Sequence, residues 1–357
     1  MDRRAFLVAL LVACGCSQNE PPKKAADAEQ STTGGIPRGG NEQPGSAGPT
    51  ARIPRVALLA FGAKGSASAS APSLAPGLFR DRLTELGYVD GKTVLVEESY
   101  ADADQQRLTR VAQEIVASKP DVIVTIAAAA TAAARQATST IPIVMVHAGN
   151  PVGSGLVASL AHPGGNITGT TSMTPELGVK QVELLRQLIP GLAKLGVLAN
   201  PMNAGTPPLL ADVSEAARRA DIRVVVAEVT RVEDFDKAFG SLRDAKPEAI
   251  FVMMEPLIGQ HHERVLAFAA ANRLPASYDV GREIAYQGGL ISYGPVLTTH
   301  YGLAAEYVDK ILKGAKPGDL PIQQPTQFAL VINLRTAKTL GLTVPQSLLV
   351  RADEVIQ

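Results

Sequence analysis

The chain predicts an α/β fold of two doubly wound lobes, each built on a parallel sheet. Short apolar runs bounded by turn residues recur from residue 53 onward, as in strands covered on both faces. Segments with apolar residues at helical spacing alternate with them, which points to βαβ units. The alternation completes one series near Thr171 and then restarts, and 357 residues is the length of about two domains.

Taken in order, Arg55 to Phe61 reads as a strand ending at Gly62. Leu74 to Leu86 reads as a helix with Phe79, Leu83 and Leu86 on one face and Gly87 as its stop. Thr93 to Glu98 is a second strand, and Leu108, Val111, Ala112, Ile115 and Val116 mark a helix that ends before Pro120. Asp121 to Ala127 and Pro142 to His147 are strands flanking an Ala-rich helix around Thr131 to Thr138, and Ile167 to Thr171 is a short strand. In the second series Val179, Val182, Leu185 and Ile189 form a helix face before Pro190. Strands at Lys194 to Ala199, Ile222 to Val229 and Glu248 to Met254 alternate with helices at Leu209 to Ala220, Val232 to Leu242 and Gly259 to Asn272. Pro275 to Tyr278 and Gly289 to Tyr293 are short strands, and a last long helix carries Ala304, Val308, Ile311 and Leu312.

The N-terminal region belongs to a different class. Arg3 and Arg4 precede a short apolar run, Ala5 to Ala13, which is the pattern of a secretory signal peptide and too short to span a bilayer. Leu11-Val12-Ala13-Cys14 resembles a bacterial lipobox, with Cys14 as the lipidated residue and Cys16 as the alternative. Arg3-Arg4-Ala5-Phe6-Leu7 also resembles a twin-arginine export signal, so the export route stays open. Residues 17–52 hold no aromatic residue and one large aliphatic, Ile36, so they cannot bury enough apolar surface to fold. They read as a tether with a root-mean-square reach of roughly 30–35 Å.

Composition excludes several functions. With 34 Lys+Arg against 34 Asp+Glu there is no electrostatic footprint for nucleic acid. Cys14 and Cys16 are the only cysteines, which leaves none for a disulfide or thiolate metal site in the body. The sequence contains no P-loop, H-E-x-x-H, C-x-x-C or G-x-S-x-G motif, so neither an enzyme nor a cofactor is expected. The run Gly149 to Gly155 reads as a cleft loop whose glycines supply unusual backbone angles, and His261-His262 as a solvated helix start.

Long stretches of the body resemble one family. They include Phe79 to Lys92, Lys119 to Val124, Gln136 to Val144, Pro151 to Ala161, Pro163 to Gly169, Gly288 to Pro295, Ile311 to Pro317 and Val331 to Leu334. Together they are similar to ABC-transporter substrate-binding proteins of the tryptophan/tyrosine transport type. That resemblance implies a type I periplasmic-binding-protein fold, two lobes joined by three crossing strands. One lobe is expected at 53–172 with 289–323 and the other at 173–288 with 324–357, with crossings near Thr171, Gly289 and Gln324. It further implies an exported, lipid-anchored monomer that binds a small solute, an amino acid or a related compound, and delivers it to a membrane permease. A module that senses ligand and signals to a membrane partner is the alternative.

Ligands of open parallel sheets sit beyond the carboxyl ends of the strands. The expected binding residues are therefore Phe61, Gly62, Ala127, Ala128, Asn150, Thr171, Asn200, Glu255, Tyr278 and Asp279. Backbone N–H groups where the helix starts after Ala127 suit a carboxylate. Glu255, where the family usually carries Asp before Pro, is the first choice of acceptor for an ammonium group and Asp279 the second. The family's Gly-Thr-Pro turn is here Ala127 to Thr131, and its Gly-Asp-Pro is Gly149-Asn150-Pro151, which removes a charge from the cleft.

Overall fold

The computed structural model describes residues 52–64, 75–102, 104–172, 177–280 and 282–357. The signal peptide, Cys14, Cys16 and all of the tether except Arg52 lie outside the described residues.

The first series forms β1 (Arg55–Ala60), α1 (Ala75–Glu85), β2 (Leu95–Tyr100), α2 (Gln105–Ala117), β3 (Val122–Ile126), α3 (Ala127–Ala137), β4 (Ile143–Ala148) and β5 (Ile167–Thr171). Its strands make one parallel sheet in the order β2-β1-β3-β4-β5. Strand alternation explains why β1, β3 and β4 read as continuous apolar runs. Val56, Leu58, Val124 and Val146 pack on one face with Phe79 and Leu83 of α1. Ala57, Leu59, Ile123 and Met145 pack on the other with Leu108 of α2 and Ala130 and Ala134 of α3. Asp104 starts α2 by accepting a hydrogen bond from the Arg107 N–H at 2.9 Å, a side-chain N-cap.

The second series forms α4 (Leu177–Leu188), β6 (Lys194–Ala199), α5 (Thr206–Arg219), β7 (Arg223–Glu228), α6 (Asp234–Ala245), β8 (Ala249–Val252), α7 (Pro256–Gln260), α8 (His262–Ala271), β9 (Ala276–Tyr278), α9 (Arg282–Tyr286) and β10 (Ile291–Pro295). The chain then returns to the first lobe as α10 (Thr298–Leu312), whose Tyr301, Ala304 and Val308 join the core beside α1. A bridge between Thr170 and Gln323 marks the last crossing. β11 (Phe328–Asn333), α11 (Leu334–Leu340), α12 (Gln346–Leu349) and β12 (Glu354–Ile356) complete the second lobe, whose sheet runs β12-β11-β10-β9-β8-β6-β7. Residues 51–357 pack as one unit.

Four features depart from the sequence reading. Strand β10 belongs to the second sheet, because Ile291 and Ser292 pair with Ser277 and Tyr278 of β9. The return to the first lobe therefore falls between Pro295 and Thr298, not near Gly289. The second sheet is not wholly parallel: β11 runs antiparallel to β10, since the chain re-enters this lobe from the other one. The helix expected from Gly259 to Asn272 is two helices, α7 beginning at Pro256 and breaking at His261. Finally, His262 is buried rather than solvated, with Nδ1 2.8 Å from the Gly259 carbonyl and Nε2 against the Gln287 side-chain oxygen.

Candidate functional site

A cavity of about 490 Å³ lies between the lobes, within the roughly 300–1,000 Å³ typical of small-ligand sites. Its walls come from the carboxyl ends of strands in both sheets, the place open α/β sheets use for ligands. The first lobe contributes Ala127 and Ala128 after β3, and His147 and Gly149 at the end of β4. The second contributes Asn203 and Gly205 after β6, Met253, Met254 and Glu255 after β8, and Asp279 after β9. Ser172, Pro295 and Leu297 line it near the crossings.

The first lobe presents a helix start. No side chain caps α3, whose first-turn N–H groups lack intrahelical partners and carry the positive end of the helix dipole. Alanines there leave room for a ligand against the backbone. Ala127 sits at φ 68°, a left-handed conformation that costs a side-chain-bearing residue about 1–2 kcal/mol. Thr131 holds it there: its hydroxyl donates to the Ala127 carbonyl at 3.0 Å and lies 2.8 Å from the Thr125 hydroxyl. His147 and Asn150 are also left-handed, at φ 43° and 42°. Such residues cluster where a site over-determines the backbone. The His147 ring packs edge-on to Tyr301, with Nε2 3.2 Å from its hydroxyl. Burial, then the neighbouring His300, pushes the His147 pKa down to about 3, so the ring is neutral at physiological pH.

The second lobe presents acids. Glu255 is the N-cap of α7: one oxygen accepts from the Ile258 N–H at 2.7 Å and the other from Asn200 Nδ2 at 3.1 Å. Asp279 Oδ1 accepts from the Met254 N–H at 2.7 Å, and the carboxylate also takes a hydrogen bond from its own backbone N–H. Burial pushes the Asp279 pKa up to about 7, and the nearby Glu255 charge adds to the effect. Burial likewise raises the pKa of Glu255. Among the described residues, Asp212, Glu255 and Asp279 line the cavity and no Lys or Arg does. The remaining wall is largely aliphatic and thioether, including Leu177, Leu209, Met253 and Met254.

Four of the expected residues thus meet at the cavity: Ala127, Ala128, Glu255 and Asp279. The others stand behind it. Phe61 packs on the first-lobe core, and Gly62 continues the loop after β1, accepting from the Asp102 N–H at 3.3 Å. Asn150 closes its own turn on the Gly153 N–H at 2.9 Å, and buried Thr171 donates to the Ala148 carbonyl at 2.6 Å. Asn200 supports Glu255, and the Tyr278 ring points into the second-lobe core. Gly205, Met253 and Met254 were not expected in the site. The signal for Gly205 was present in the polar Asn200 to Thr206 turn after a buried strand.

The model of ABC transporter substrate binding proteins matches residues 70–356, nearly the whole body that carries this cleft. The chain belongs to that family. ABC transporter substrate-binding proteins are solute-binding components acting outside the cytoplasm, and they are not enzymes. One curated relative of this substrate-binding protein is a tyrosine-binding protein from Clostridioides difficile, 28% identical over 271 residues, covering 74% of this chain and 75% of the relative. A solved conserved domain protein from Vibrio cholerae matches with a TM-score of 0.79 at 28% identity, over 85% of this chain and 100% of that one. An ABC domain from Streptococcus pneumoniae, solved in complex with L-Trp, matches with a TM-score of 0.78 at 26% identity, over 85% of this chain and 100% of that one. The fold is that of type I periplasmic binding proteins. Among the described residues no group of His, Cys, Asp and Glu is arranged to hold a metal ion, and no helix is long and apolar enough to cross a membrane.

Proposed function

We propose that this protein captures a zwitterionic amino acid with a large apolar side chain and delivers it to a membrane permease. One observation carries the reading: the two lobes offer opposite charges to one cavity, the bare start of α3 on one side and Asp279 on the other. The carboxylate of the ligand sits at the α3 amides and its ammonium at Asp279, with Glu255 behind. This reverses the order expected from the sequence, because Glu255 already caps α7 with both oxygens engaged. A ligand held at both ends draws the lobes together, a population shift driven by contacts made only in the closed form. Met253 and Met254 suit an aromatic side chain through sulfur–ring contacts. The relative solved with L-Trp and the tyrosine-binding relative support the same ligand class.

A thermal-shift series over the L-amino acids and their D-enantiomers tests this. The expected result is a rise in apparent melting temperature with L-aromatic or large aliphatic amino acids, because a ligand bound only to the folded state stabilises it by mass action. Decarboxylated or N-acylated analogues should give no rise. A null response to every amino acid overturns the reading.

The protein acts as a monomer anchored to the outer face of the membrane through Cys14, with Cys16 as the alternative, the tether giving the cleft its reach to the permease. Palmitate labelling is expected to disappear in Cys14→Ser, and labelling that survives loss of both cysteines excludes the anchor.

A further inference from the structure

The two lobes touch where neither has a side chain. Gly149, in the loop after β4, and Gly205, at the N-cap of α5, both line the cavity from opposite lobes. A Cβ built on Gly149 would lie 3.0 Å from the Gly205 Cα and 3.2 Å from its nitrogen. A Cβ built on Gly205 would lie 3.4 Å from the Gly149 Cα. These are backbone atoms, so no rotamer change relieves the contact. Glycine at 205 does not answer a conformational need, since φ there is −80°, open to any residue. Its need is spatial.

Both sides of the contact are braced. On the second lobe, Asn203 accepts from the Gly205 N–H through Oδ1 and from the Thr206 N–H through its carbonyl, both at 3.0 Å. Asn200 accepts from the Asn203 N–H at 3.1 Å and donates to Glu255, which ties this turn to the acidic end of the cavity. On the first lobe, Gly149 is flanked by left-handed Asn150, whose carbonyl accepts from the Ser154 N–H at 3.0 Å. Neither turn can retreat locally, so an added side chain would be accommodated by moving one lobe against the other.

We propose that Gly149 and Gly205 form a bare-backbone latch that lets the lobes seal over the ligand, and that side-chain size at these positions sets the population of the closed state. The ligand's role in the proposal rests on the amino-acid reading above, whereas the contact itself does not. Apparent affinity scales with the fraction of molecules able to close. Gly149→Ala is expected to weaken binding about 3- to 10-fold and Gly149→Val about 30-fold or more, without lowering the melting temperature of the ligand-free protein.

Two measurements test it. In full-length protein carrying Cys14→Ser and Cys16→Ser, the pair Gly149→Cys with Gly205→Cys should form an interlobe disulfide under mild oxidation, read by peptide mass spectrometry. A disulfide spans a Cα separation of roughly 4.4–6.8 Å, which leaves room for the bulk that the two cysteine Cβ atoms add. Absence of that cross-link overturns the latch. In parallel, small-angle scattering with and without L-tryptophan should show compaction of the wild type and none, or less, for Gly149→Val. Equal compaction and affinity in the two proteins also overturns it. If the cross-link forms but the wild type responds to no amino acid, the latch stands and the amino-acid reading falls.

Discussion

Asp279→Asn is expected to abolish measurable amino-acid binding while making the ligand-free protein more stable above neutral pH. Removing one partner of a buried, hydrogen-bonded charge pair costs about 2–5 kcal/mol, so affinity should fall by at least about 30-fold and by as much as several thousand-fold. The stability gain has the opposite sign for the same physical reason. Burial raises the folded-state pKa of Asp279 to about 7, well above the ordinary value of 3.8. Its contribution to stability is therefore fully present below about pH 4 and is lost as pH rises through about 7. Asparagine keeps an oxygen to accept the Met254 N–H, now 2.7 Å from Oδ1, and carries no charge to desolvate. Relative to wild type, the variant should gain on the order of 2–4 kcal/mol at pH 8 and little at pH 4, read by denaturant titration at both values. Wild-type affinity should itself rise with pH through about 7, with proton release on binding visible as a buffer-dependent heat. Glu255→Gln, whose oxygens serve α7 and Asn200, should lose binding far less. Comparable losses in the two variants would return the ammonium to Glu255, and a pH-independent wild-type affinity would remove it from Asp279.

Ala128→Asp is expected to weaken ligand binding about 10- to 100-fold without unfolding the protein. Ala128 lines the cavity in the first turn of α3, which no side chain caps. An acid placed there is favoured by the helix dipole by about 0.3–1 kcal/mol, so it occupies the anion site that the ligand carboxylate would use. Ala128→Asn has the same size without the charge and should weaken binding several-fold less. Isothermal titration of the three proteins separates charge from bulk. Equal losses for Asp and Asn would mean that the pocket is merely filled and that the carboxylate binds elsewhere.

Much of the first lobe was legible in the chain. The apolar runs at β1, β3 and β4 are continuous because helices cover both faces, and that pattern needs no tertiary information. The Ala-rich start of α3 was readable as a cleft position because ligand sites in open sheets follow strand ends. His262 was misread because its polarity suggested solvent, and only the fold brings Gln287 and the Gly259 carbonyl to its ring. The choice between Glu255 and Asp279 turns on a related point. A Glu-Pro pair at a helix start is both an N-cap signature and an acid beside a cleft, and the contacts of Ile258 and Asn200 decide for the cap.

Local pattern by itself determined most of the strands and helices up to α10, the two α/β lobes and the strand ends where a ligand belongs, since periodicity and turn chemistry act within a few residues. Tertiary structure decided which sheet received β10, the direction of β11, which groups each cleft acid bonds to, and where Gly149 and Gly205 met. Each of these depends on groups far apart in the chain, and desolvation and close packing act between such groups only once the lobes are assembled.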